Sequence, residues 1–187
     1  MPNALSKVVA IFIAVFLLFI YPIKNELERQ DETSRIFVLN KTIGFVDSVR
    51  NLGYITPDMY EEYLSELAMT GNLYKVKLEH AKLEYMPVME YDPSTGQYET
   101  LLGEFQKGYI NTYTEEIEEC LYPITYPPNP PQLGQPYEMR MGDYFTVSVV
   151  NQNKTMATKI QEMVYGRFIS PEKIFVTYGG MIKDESD

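Results

Sequence analysis

An uninterrupted apolar run, Val8 to Tyr21 (VVAIFIAVFLLFIY), constrains this chain more than any other stretch. As a helix at ~1.5 Å per residue it is roughly 21 Å long, short of the ~30 Å hydrocarbon core of a bilayer. Extending the helix from Ala4 to Ile23 closes the gap, with the Lys7 ammonium snorkelling to one interface. Tyr21 and Lys24 suit the opposite headgroup level. Such a run fits an uncleaved anchor, a cleaved signal segment or the core helix of a soluble protein. A signal segment needs small residues at a cleavage site, and the chain after Phe16 reads LLFIYPIKNE. An uncleaved anchor is therefore expected, with Val8, Phe12, Phe16, Phe19 and Tyr21 as its apolar residues. The other two readings stay open at this level.

Beyond the run, charges recur at helical spacing: Lys24 with Glu28, Asp31 with Arg35. Such pairs contribute only ~0.3–0.5 kcal/mol each, but they let one helix leave the membrane unbroken. Pro22 removes a backbone donor and is expected to kink it. From Arg35 to Leu52 the helix becomes amphipathic. Ile36, Val38, Leu39, Ile43, Phe45, Val46, Val49 and Leu52 share one arc, and Asn40, Lys41, Asp47, Ser48 and Asn51 the other. The apolar arc is wider than a coiled-coil seam. It either packs wholly on its own domain or leaves part for neighbouring subunits; Ile36, Val38, Ile43, Phe45 and Val49 are the candidate interface residues. The domain reading is an anchor and stalk over residues 1–52 and a water-soluble head over 53–187.

Composition limits the partners. The net charge of −10 over 187 residues argues against nucleic acid and anionic lipid headgroups. The single cysteine, Cys120, excludes an intramolecular disulfide, so the head must rest on its apolar core. Orientation is weakly coded. Lys24, Arg29 and Arg35 outnumber Lys7, which favours a cytoplasmic C-terminal side.

In the head, Gly53 is expected to end the stalk helix as a left-handed cap. Thr56 and Pro57 then open a second helix as N-cap and first helical residue, and Gly71 stops it. Asn72 to Ala81 alternates as a half-buried strand, with Tyr74, Val76, Leu78 and His80 on one side. Residues 86–136 read as an irregular, Pro/Tyr-rich insertion. Its turn is Asp92 to Gly96, which could join two extended arms. Thr112 and Glu115 resemble a capping box before a short helix ending near Leu121. Tyr122 to Tyr137 holds six prolines and reads as an extended connection. Glu138 to Asn151 is strand-like, Asn153 is expected to cap a helix ended by Gly166, and Ile174 to Tyr178 is the last strand. That strand–helix–strand order allows a parallel, right-handed crossover. The predicted fold is α+β: a long N-terminal helix, then three to five strands packed on helices.

Catalytic chemistry is sparse. His80 is the only histidine, and a lone histidine on the apolar face of a strand is more often a hydrogen-bonded core residue than a catalyst. Zinc needs several Cys or His ligands. Cys120 has no neighbouring base and reads as a small core residue. Glu115, Glu116, Glu118 and Glu119 lack calcium-loop spacing and read as a solvated helix face. Gly179-Gly180 reads as a tight turn. No phosphate-cradling glycine loop occurs. The expectation is a protein that is not an enzyme and carries no metal or cofactor.

Three segments, Phe45–Lys82 (FVDSVRNLGYITPDMYEEYLSELAMTGNLYKVKLEHAK), Met139–Thr158 (MRMGDYFTVSVVNQNKTMAT) and Lys173–Ile182 (KIFVTYGGMI), resemble membrane-anchored Gram-positive proteins that accompany Tad (tight adherence, Flp) type IV pilus-like machinery. The layout is similar to a pilin: apolar helix, proline, amphipathic continuation, α+β head. The resemblance implies a single-pass protein of the cytoplasmic membrane with an extracytoplasmic head. It implies association, homo- or hetero-oligomeric, with other pilin-like subunits or pilus platform proteins. Prepilins usually carry a glycine before the run and a glutamate at its fifth position, whereas here Ser6-Lys7 precede Val8 and Phe12 stands fifth. A minor pilin or pseudopilin-like assembly part is expected rather than a major pilin. The alternatives are a membrane-anchored binding or adhesion module and, third, an enzyme.

Overall fold

The computed structural model describes residues 4–123, 134–166 and 174–183. Helix α1 runs unbroken over Ala4–Leu52, 49 residues, with Pro22 inside it. At ~1.5 Å per residue that is a rod of roughly 73 Å. Gly53 ends it at φ 75°, and its N–H donates to Val49 O at 2.8 Å. A left-handed residue here is inexpensive only for glycine.

Strand β1 (Tyr54–Ile55) leads into helix α2 (Pro57–Ala68). The Thr56 hydroxyl accepts from Met59 N and Pro57 stands at the first position, as the sequence predicts. Strands β2 (Tyr74–Asp92) and β3 (Gln97–Tyr113) form a long antiparallel hairpin. Helix α3 (Thr114–Leu121), β4 (Tyr137–Glu138), β5 (Tyr144–Asn151), helix α4 (Met156–Tyr165) and β6 (Phe175–Met181) complete the chain. The main sheet has the order β3-β2-β5-β6 and is antiparallel throughout; β1 and β4 make a separate two-stranded ladder. The architecture is the predicted α+β one.

The core forms where the second half of α1 lies on the sheet. Val38, Phe45, Val46 and Val49 meet Tyr60, Tyr63 and Leu67 of α2, Leu78 of β2 and Phe145, Val147 and Val149 of β5. Phe45 stacks on Tyr63 with centroids 4.4 Å apart and planes at 3°. Thr42 is fully buried but satisfied: its hydroxyl bonds Val38 O and the Tyr63 hydroxyl, each at 2.8 Å. Alternate residues of β5 point into this core, the period expected of a half-buried strand.

Several local expectations are corrected. Residues 86–113, expected to be irregular around a turn at Asp92–Gly96 with two short extended arms, carry the outer part of the β2–β3 hairpin. The turn and the arms stand, and the regular pairing runs well beyond them. Side chains of this outer part are mostly exposed on both faces, so no apolar alternation marks it. The six-proline connection lies largely outside the described residues. Thr112 does not cap α3; it pairs with His80 in the ladder, and the helix begins after Tyr113 with no side-chain cap. Thr155, not Asn153, caps α4 by accepting from Thr158 N. The Asn153 side chain instead accepts from Leu73 N at 2.8 Å. The expected strand from Glu138 is broken at Gly142 (φ 97°), so β4 and β5 join different sheets. Strand β6 is antiparallel to β5, not a parallel crossover. Helix α4 docks on α1, with Thr155 Oγ1 donating to Asp31 Oδ2 at 2.6 Å and Gln161 to Glu28. The chain therefore re-enters the sheet at the end it left, with Val150 opposite Phe175.

Gly179 and Gly180 lie inside β6 rather than in a turn. A Cβ at Gly179 would stand 2.4 Å from Thr146 Oγ1 and 2.8 Å from Phe145 O. The pair is small because neighbours press on it.

Candidate functional site

The first half of α1 is the most unusual surface of the molecule. From Val8 to Ile23 most of its described large apolar side chains are exposed, Phe12 at 72 % and Leu18 at 71 %, with Ile20 half-buried. Val8, Phe16, Phe19 and Tyr21 are exposed with them. Water does not tolerate a contiguous apolar surface of this size on a monomer, and lipid does. This one helix is long and apolar enough to cross a membrane. Pro22 falls at the end of the bare stretch, where the charged continuation starts.

The candidate interface residues are divided by the head. Val38 and Val49 are fully buried and Phe45 nearly so, all in the chain's own core. Ile43 is half-buried and Ile36 exposed. The expectation that Val38, Phe45 and Val49 face another subunit is therefore corrected, because the chain's own core already covers them. Of the five, only Ile36 is left largely open.

A buried polar cluster sits where β2 meets the turn before β5. His80 bonds the Tyr137 hydroxyl through Nδ1 at 2.8 Å and Asp143 Oδ2 through Nε2 at 2.9 Å. Asp143 also accepts from Leu83 N at 2.7 Å and Arg140 N at 2.9 Å. Burial raises the Asp143 carboxyl, but the N–H groups of Arg140 and Leu83 and the His80 ring outweigh it and hold it below the usual carboxylate range. Burial pushes the Tyr137 phenol up, partly offset by the Thr112 hydroxyl. In this Tyr–His–Asp line His80 and Asp143 are almost wholly enclosed and Tyr137 is half-buried. The line is a satisfied clasp that holds β4 and the β5 turn on the hairpin. Sequence reasoning placed His80 in the core; its partners, 57 and 63 residues away, carried no local signal.

Cys120 is half-buried. Glu118 accepts from the Tyr60 hydroxyl at 2.9 Å, while Glu115, Glu116 and Glu119 are exposed. No grouping of three or more metal-binding side chains occurs among the described residues.

The hairpin is the second unusual surface. Strand β5 pairs with β2 only as far as Ala81. From Lys82 to Asp92 the arm is two-stranded, roughly 35 Å at ~3.3 Å per residue. Opposed residues share a face, so Leu83 with Tyr109, Tyr85 with Lys107 and Pro87 with Phe105 line the side away from the core. Tyr85, Phe105 and Tyr109 are exposed there, and Tyr109 meets Tyr144 edge-on at 5.7 Å. No family model, curated protein or solved structure matches the chain.

Proposed function

We propose that the protein is a single-pass, membrane-anchored structural or assembly component of pilin-like layout, serving a Tad, type IV pilus-like apparatus with its head outside the cytoplasmic membrane. One observation carries the reading. A single helix bares its apolar side chains over its first half and supplies the centre of the head's core with its second. Span and head are then joined through one continuous helix, and a force on the head reaches the span without passing through a non-helical linker. Neighbouring subunits would meet along the span, where packing rather than hydrophobicity drives association. Small Ala10 and Ala14, alternating with bulky Phe12, Phe16 and Phe19, offer the needed relief. The acidic head, in a chain of net charge −10, suits contact with protein rather than with nucleic acid. The test is cell fractionation with protease shaving, together with co-purification of a secretion ATPase or platform protein. Recovery of the full chain as a detergent-free soluble monomer overturns the reading.

The exposed aromatic arm favours a second reading, an anchored binding or adhesion module. Aromatic side chains give contact area at low entropy cost. Replacing Tyr85, Phe105 and Tyr109 with serine separates the two readings. An adhesion defect with intact assembly favours the module, and the converse favours the assembly part.

A further inference from the structure

We propose that the outer end of α4, with Met163 and Val164 as its tip, is a second contact with the bilayer surface beside the spanning helix. The proposal rests on reading the first half of α1 as a membrane span.

Two contacts place α4 along α1. The Thr155 hydroxyl, at the start of α4, donates to Asp31. Gln161, further along α4, donates to Glu28, which lies nearer the apolar run. The two helices therefore run in opposite senses, and α4 points toward the membrane. From Thr155 to Met163 is about 12 Å of helix, and from Asp31 to Ile23 is about 12 Å as well. Counted from the Thr155–Asp31 contact Met163 reaches Ile23, and counted from Gln161–Glu28 it reaches Glu26, so it lies at the level of residues 23–26, where the apolar run gives way to charge. The same side of α1 is covered on the way down: Asp31, Glu28, Leu27 and Lys24 are half-buried while Asn25, Glu26 and Arg29 are exposed.

At that level Met163 stands on the outward side of α4, 82 % exposed, and Val164, on the flank toward α1, is 44 % exposed. Met156 and Lys159 continue the exposed ridge away from the membrane. Ala157 and Thr158 are buried on the opposite side. The nearby carboxylates are mostly engaged. Glu162 pairs with Lys154 at 2.6 Å and Glu28 with Lys24 at 3.6 Å, leaving Glu26 and its loose pair with Arg29 facing water. A flexible thioether and a valine, with lysine one to two turns above, suit the acyl–headgroup boundary. Apolar side chains there sit ~5–10 Å deep, and an ammonium reaches the phosphates. The occupant is lipid rather than a partner protein because the ridge meets the bilayer edge that the span itself defines. A head touching the bilayer beside its own span is fixed in tilt as well as position.

The full chain, with Cys120→Ser, is reconstituted into vesicles of phosphatidylcholine. Single cysteines at Phe16→Cys, Met163→Cys and Met141→Cys carry an environment-sensitive fluorophore. Met141 is exposed next to the far end of α1, where Gly142 meets Ile182 and Lys183 meets Arg50. The expected result is a blue-shifted emission at 16 and 163 and a water-like one at 141. Nitroxide placed just below the headgroup should quench position 163, and nitroxide deep in the chains should quench position 16. A water-like 163 with a lipid-like 16 overturns this proposal and leaves the span standing. A water-like 16 overturns both. A blue-shifted 163 that no lipid-borne nitroxide quenches points to a second copy of the chain and also overturns the lipid contact.

Discussion

The Arg50 guanidinium occupies the space that a side chain at Gly180 would need: a Cβ there would stand 2.6 Å from Arg50 Cζ. Arg50 lies across the end strand, donating through Nε to Met181 O at 2.9 Å and through Nη1 to Asp47 Oδ1 at 2.7 Å. Its own carbonyl accepts from Lys183 N at 2.9 Å. The last turn of α1 is thereby tied to β6 from both sides. Gly180→Val should destabilise the head by about 1–3 kcal/mol through overpacking. Urea unfolding of the two single variants and of the Arg50→Ala/Gly180→Val double measures the coupling. The double variant should lose less than the sum of the two singles, and strict additivity would contradict the contact.

Phe45 is the aromatic centre of the core, stacked on Tyr63 and edge-on to Phe145 at 6.3 Å. Phe45→Ala should cost about 3–5 kcal/mol, and Phe45→Glu should prevent folding by burying an unpaired charge. Ile36→Ser, on the same helix but exposed, should change stability by no more than about 0.5 kcal/mol. Thermal melting of the detergent-solubilised chain compares the three. Equal losses at 45 and 36 would mean that the stalk is covered along its whole length.

Acid should loosen the clasp at Asp143. Its carboxyl is held below the usual range in the folded protein, so the unfolded chain binds the proton more readily. The stabilisation is complete above the unfolded value of ~3.9 and is lost as pH falls through the lower folded value. Asp143→Asn should remove this part of the acid dependence. It should also weaken the fold near neutral pH, because Leu83 N–H, Arg140 N–H and His80 then share a poorer acceptor. Unfolding midpoints between pH 2 and 7 for both proteins provide the check; curves that stay parallel below pH 4 would assign the acid response elsewhere.

The span should fail when its centre is charged. Phe16→Asp should cost ~2.5–3.5 kcal/mol of insertion free energy, read as a shift from the membrane to the soluble or degraded fraction. Phe16→Leu serves as the control. An unchanged membrane fraction for the aspartate variant would show that this run is not what holds the protein there.

Features that depend on a few neighbouring residues were legible in the sequence. The apolar run, the Gly53 cap, the Thr56-Pro57 helix start and the alternation of β5 follow from backbone sterics and periodicity, and the structure has all four. The α+β class follows from their order. Features that depend on distant partners were not legible. The outer hairpin arm has water on both faces, so its composition shows no strand period, and only the pairing of β2 with β3 makes it regular. Gly180 is small because Arg50, far away in the chain, lies over it. His80 is silent until Tyr137 and Asp143 arrive. The arc of α1 was visible as apolar, but which part faces a neighbour and which part its own sheet depends on where β5 and α2 settle. Periodicity records that a side chain leaves water; it carries no label for what it leaves water to meet.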